Sequence, residues 1–269
     1  MIKHLRILGL FWSTSLAAEM EYRTNLALAI ITALGNLVGA VFAMKLFFIH
    51  QKTLGGYSEP EAMVVLGYFV LLSGFANTVM VQNLSRIVTH VREGTLDFVL
   101  LKPIDSQFWL STRNCSPWGI PNIVLGLGLI AYAGWQLKFD AIAYLTGVIA
   151  LAAGLLMLYS LWFSLGALSI WFVKVQNITH VLYQLLEGGR FPFTAHPTFN
   201  RFFFTFVIPA AFLTTFPAQV MIGRNDFQQY LGASNIGLYL IVVAMAVAMF
   251  IFARYFWRFT LRHYTSASS

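Results

Sequence analysis

Between Asp140 and Lys174 the chain carries no charged side chain at all. Wound as one helix, Ala141–Val173 would extend about 50 Å, against a bilayer hydrocarbon core about 30 Å thick. A helix this apolar on every side belongs in lipid or deep inside a protein. It must tilt, protrude or kink, and Gly147, Gly154 and Gly166 offer places to do so. The rest of the chain supplies no soluble body to bury it. Apolar residues make up 58% of the sequence and charged residues 10%, where soluble domains carry about 25% charge. A length of 269 residues accommodates about six spans of roughly 20 residues with short loops and no separate soluble domain. The expected fold is an all-α integral membrane protein with six transmembrane helices in a single domain, residues 1–269.

Along the chain, Ile2, Leu5, Leu8, Trp12 and Leu16 recur at helical intervals beside Lys3 and Arg6, which predicts an interfacial helix over 2–18. The same stretch faintly imitates a signal peptide, but its unbroken apolar core, Ile7–Trp12, is too short for one. The first span is expected at about Leu26–Ile49. There Gly35, Gly39 and Ala43 recur every four residues and make a face for close helix packing, within the subunit or at a dimer seam. The second span is expected at about Ala62–Gln82, the third at Trp118–Trp135 and the fourth at Ala141–Val173. Val175–Phe193 is the expected fifth span despite His180, Glu187 and Arg190, with Arg201–Phe216 as the competing choice. Pro209 and Pro217 break the aromatic stretch that follows, so 194–224 reads as a re-entrant hairpin on the outer side. Asn235–Phe256 is the sixth.

One stretch interrupts this oil. Residues 84–114 hold Arg86, Arg92, Glu93, Asp97, Lys102, Asp105 and Arg113, a density excluded from hydrocarbon, where each charge costs roughly 3 kcal/mol or more. Arg86–Glu93 has helical spacing, Gly94 interrupts, Leu96, Phe98, Leu100 and Leu101 restore an apolar surface, and Pro103 stops simple continuation. Pattern alone leaves two readings: a docking surface for a soluble partner, or an ordinary solvated loop with a surface-lying helix.

The run REGTLDFVLLKPI resembles the loop after the second span in type 2 ATP-binding-cassette exporter permeases, most of all the six-span branch that includes drug and viologen exporters. In that family the loop forms a coupling helix seated in a groove of the ATPase. The resemblance implies coupling roles for Arg92, Glu93, Gly94, Thr95, Leu96, Asp97, Phe98 and Pro103. It also implies ABC ATPase subunits as partners, a second permease copy or a paralogous permease alongside, and ATP and magnesium bound on the ATPase, with no cofactor in this chain. The expected location is the bacterial plasma (inner) membrane.

Orientation follows from the basic residues. Lys3, Arg6, Arg23, Arg86, Arg92, Lys102, Arg113, Lys174, Arg254, Arg258 and Arg262 fall on the expected cytoplasmic side. Lys45, Lys52, Lys138, Arg190, Arg201 and Arg224 fall outside, so both termini are expected inside. The net charge of +7 is spread over span ends, which fits this rule better than nucleic-acid binding. No glycine-rich run with a following lysine exists to cradle nucleotide phosphates, so hydrolysis is expected on a partner. The six histidines are scattered, Cys115 stands alone, and neither a metal site nor an internal disulfide is expected.

An acid in a membrane segment usually faces a cavity or a partner. Glu187, with Arg190, is therefore a candidate for the substrate pathway; the competing reading is an i, i+3 pair near the outer headgroups. An ion-coupled carrier would favour inverted repeats and paired intramembrane acids, of which the halves show no pattern. A structural membrane subunit is the remaining alternative.

Overall fold

The computed structural model describes residues 2–19, 21, 23–172, 187–195, 210–224 and 235–264. Every regular element among them is a helix. They are α1 (Ile2–Glu19), α2 (Arg23–His50), α3 (Glu59–Phe75), α4 (Val81–Arg92), α5 (Leu96–Leu100) and α6 (Ser106–Thr112), then α7 (Ile120–Leu137) and α8 (Ala141–Ala167). After 187–195 come α9 (Ala210–Leu213), α10 (Thr215–Ile222) and α11 (Asn235–Arg262). Among the described residues five stretches are long and apolar enough to cross a membrane: Thr24–His50, Glu59–Arg92, Pro117–Leu137, Ala141–Ile170 and Gly237–Arg262. The expected fifth span, 175–193, and its competitor, 201–216, lie largely outside the described residues, as do Lys174, His180 and Arg201.

The second span departs from expectation. It does not end at Gln82 but runs on as helix to Arg92, through one wide π turn at Ala76–Met80 that joins α3 to α4. The carbonyls this turn releases find other donors: Thr78 O accepts from the Ser116 N–H at 2.8 Å, and Val79 O accepts from Asn83 Nδ2 at 2.6 Å. Above the turn the helix packs on α7; below it, Leu84 and Ile87 pack against Gly166 of α8.

Glycines set the α3–α7 contact. A Cβ on Gly126 would stand 2.6 Å from Leu71 N, and one on Gly74 would stand 2.6 Å from Ile123 N. A Cβ on Gly119 would strike the Gly74 carbonyl outright. Gly67 and Gly74 on one helix, and Gly119 and Gly126 on the other, thus recur every second turn along one antiparallel seam and let the backbones touch. A Cβ on Gly35 or Gly39, by contrast, meets nothing within 4 Å among the described residues. The reason lies in α2 as a whole. Only 6% of its apolar window is buried, against 61% for Glu59–Arg92, and Ile31, Val38 and Phe42 project outward.

The fourth span is one continuous α-helix through Ala167, unbroken at its glycines. Gly147 and Gly154 instead seat Met221 of α10 and Leu213 of α9. These two short helices are the described part of the expected re-entrant stretch. Ala211–Gln219 is buried throughout, so Phe212 and Phe216 fill the bundle rather than lining an outer surface. Nearby, the turn Leu54–Tyr57 uses left-handed Gly55 and Gly56, and the Tyr57 hydroxyl accepts from Gln219. Arg224 closes this end over the Tyr57 ring, 3.5 Å from Glu61.

Candidate functional site

At the opposite end of the bundle the charged stretch folds into two short helices held under α8 and α11. Gly94, at φ 68°, ends α4 with the left-handed turn that side-chain-bearing residues resist, and sends the chain back along the bundle. Thr95 opens α5, and its hydroxyl hydrogen-bonds His90 Nδ1 at 2.7 Å. In α5 the apolar residues divide. Leu96 and Val99 are buried in the same core as Leu110 and Phe163, whereas Phe98 is 69% exposed and Leu101 81%. Leu96 is therefore a core residue, not part of the expected apolar docking surface.

Charges surround the two exposed side chains. Arg92 and Glu93 form a 3.8 Å pair with each side chain more than half exposed, which leaves both groups largely to water. Lys102 stands 5.4 Å over the Trp109 ring, and Pro103 is exposed. Asp97 faces Tyr264, just beyond the end of α11; burial, then the Asp97 charge, raises the Tyr264 hydroxyl above its ordinary pKa.

Past Pro103 the chain is fastened to the spans. Asp105 caps α6, its Oδ1 accepting from the Phe108 N–H at 2.9 Å. Arg254 of α11 donates from Nη1 to Asp105 Oδ1 at 2.8 Å and to Gln107 Oε1 at 3.1 Å, and from Nη2 to Asp105 Oδ2. Trp257 Nε1 donates to Ser106 Oγ at 3.0 Å. Tyr159 of α8 meets Gln107 Nε2 at 3.1 Å and Ser111 Oγ at 2.7 Å. Burial pushes the Asp105 carboxyl up, but hydrogen bonds from Arg254 and the Phe108 N–H, with the Arg254 and Arg258 charges, outweigh it and hold the group below the ordinary carboxylate value. A push on α5 or α6 thus reaches the fourth and last spans through short polar links, and the second span through the chain itself.

Glu187 and Arg190 sit elsewhere, in a 3-10 turn, with Arg190 Nε 2.6 Å from Glu187 Oε2. Arg190 lies over the ring of Phe69, about 15 Å along α3 from Glu59. Asn36, Ser73 and Asn122 line the same small cleft of about 100 Å³. Among the described residues no three His, Cys, Asp or Glu side chains are placed to hold a metal ion.

A sequence model of the family described as ABC-2 family transporter protein matches residues 34–268. The chain belongs to the ABC-2 transporter family. Neither a search of curated proteins nor a search of solved structures finds a match. An ABC-2 chain is the membrane subunit of an ABC transporter, with ATP hydrolysis on a partner ATPase subunit, and the five long apolar helices make this one a multi-pass membrane protein. In this ABC-2 subunit the links missing from the sequence reading are Asp105–Arg254, Ser106–Trp257 and the Tyr159 contacts. An arginine inside the last apolar run was the available signal, because such a charge requires a partner.

Proposed function

We propose that this ABC-2 subunit is an exporter permease in which residues 84–114 form the cytoplasmic coupling loop and α5 docks onto the ATPase. The observation that carries the reading is the split face of α5: Phe98 and Leu101 point away from the bundle beside Arg92, Glu93 and Lys102, while Leu96 and Val99 anchor the helix. Apolar anchors within a charged rim are what a protein interface uses. ATP and magnesium would act on the ATPase, whose closure moves α5; Asp105 and Arg254 pass the motion to α11 and Tyr159 passes it to α8. Since the permease has no differential contact with ATP itself, coupling must run through this surface.

Two such subunits, identical or paralogous, would enclose the path in a bacterial inner membrane, with α1 on the cytoplasmic surface and both termini inside. An amphipathic or cationic cargo is the substrate class we favour. A cavity of about 640 Å³ beside the loop has walls that include Met80, Leu84, Leu155 and Phe250 together with Asp105 and Arg254, which suits a molecule with an apolar body and a polar head. Glu187 and Arg190, with Asn36, Ser73 and Asn122, would give that cargo a polar station within the membrane. The test is mild-detergent purification followed by transport in vesicles. An ATPase that copurifies and drives uptake into inverted vesicles supports the reading; transport by this chain alone, without an ATPase, overturns it.

A further inference from the structure

We infer that the pocket between α4 and α6 is a binding site for a phosphate anion, supplied by the headgroup of a bilayer lipid or by free phosphate. The pocket encloses about 270 Å³ and is walled by Asn83, Arg86, His90, Trp109, Arg113 and Asn114. Two arginines line one cavity, and no carboxylate does. Among the described residues neither arginine has an acidic partner within ion-pair distance; Glu93, the nearest acid along α4, pairs with Arg92. Like charges gathered without a counter-charge repel, and an anion between them converts that repulsion into attraction.

The walls are built to stay in place. Asn83 Oδ1 accepts from Asn114 N at 2.9 Å and from Asn114 Nδ2 at 3.1 Å, while Asn83 Nδ2 donates to Asn114 O at 2.7 Å. These bonds occupy the two amides with each other and leave anion recognition to the arginines. α1 positions Arg113: its guanidinium carbon lies 4.9 Å from the Phe11 ring centroid, and Ser15 Oγ donates to the Arg113 carbonyl at 3.3 Å. The guanidinium fork matches phosphate oxygens in pairs of parallel hydrogen bonds, which favours phosphate over a simple halide.

Depth selects the lipid as the first source to test. The pocket lies on the last turns of the Glu59–Arg92 stretch, where apolar helix gives way to charged loop, and this is the level of the phosphate layer whichever side of the membrane the loop faces. The inference therefore stands apart from the transport direction and from the ATPase contact. It has one consequence for the loop. His90 lines the pocket and also holds Thr95, the residue that opens α5, so an occupied pocket braces the start of the docking helix.

The test uses the purified full chain in neutral detergent and native mass spectrometry. The probes are dihexanoylphosphatidylglycerol, dihexanoylphosphatidylcholine and inorganic phosphate. Wild type should bind the glycerol lipid more tightly than the choline lipid, and Arg86→Gln and Arg113→Gln should each weaken it about tenfold, in line with loss of a charge-assisted hydrogen bond. Arg92→Gln, outside the pocket, should leave binding unchanged. Competition by inorganic phosphate at equal concentration assigns free phosphate as the occupant; its failure to compete assigns the lipid. Arg86 is exposed, so Arg86→Gln should fold as wild type does, with an unchanged melting temperature as the check. Equal affinity of wild type and Arg86→Gln for the glycerol lipid overturns the inference.

Discussion

Arg254 grips Asp105 across 149 positions of sequence, joining the last apolar helix to the residue that caps α6. Asp105→Asn keeps a capping oxygen for Phe108 but removes the charge that Arg254 answers. We expect a loss of about 1 kcal/mol in thermal unfolding, because both side chains are about one-third exposed. ATP turnover should continue with less cargo moved per ATP hydrolysed. Unchanged transport stoichiometry would remove the pair from the mechanism.

The same pair predicts a pH dependence. Its carboxyl is held below the ordinary value of 3.8, so the folded form binds this proton less readily than the unfolded chain. The stabilisation is therefore complete above that value and is lost as pH falls through the lower, folded one. The gap in melting temperature between wild type and Asp105→Asn should be constant in neutral and mildly acidic buffer and should close only below about pH 4.

Phe98→Asp and Leu101→Asp should insert and melt as wild type does yet reduce ATPase copurification by about tenfold or more. Leu96→Asp should behave differently. It places a charge in a site with no exposure and should destabilise the subunit by roughly 3 kcal/mol or more before any docking is measured. Equal melting of all three would contradict the split face of α5.

Gly119→Ala should cost about 1–3 kcal/mol, since its Cβ meets the Gly74 carbonyl and Thr78, backbone that cannot swing aside. Gly67→Ala should cost less, because the nearest atom belongs to the Ile130 side chain. Gly39→Ala should leave the single subunit unchanged or slightly firmer. Melting in detergent under monomeric conditions orders the three.

Glu187→Gln should lower export of cationic compounds more than of neutral ones, measured as paired rates in vesicles. Equal loss for both classes would return Glu187 to a purely structural pairing with Arg190.

Hydropathy located the apolar helices well where charges bracket them: Ala141–Val173 was expected and Ala141–Ile170 is found. The helix runs ten residues past the expected end of the second span at Gln82, because hydropathy reports where lipid stops, not where helix stops, and Asn83, Ser85 and Arg86 are compatible with helix. Gly35 and Gly39 read as well as Gly67 and Gly74 because one helix alone does not reveal its neighbour. The matching interval at Gly119 and Gly126 was the legible clue to the true seam. Within the loop, the motif residues were visible in order, but which of Leu96, Phe98 and Leu101 turns inward depended on the bend at Gly94. The partners of Asp105 lie too far along the chain for any local pattern to announce them.

The wide turn at Ala76–Met80 works as a phase shift in the longest helix. Were the same residues wound as ordinary α-helix, everything beneath would swing by about 100°. Leu84 and Ile87 would then leave the groove at Gly166, and Asn83 would lose Asn114, while Gly67 and Gly74 above kept their seats. Ordinary winding would leave an upper bundle of native form attached to a lower end facing the wrong neighbours, so one wide turn decides which neighbours the lower half of the helix meets.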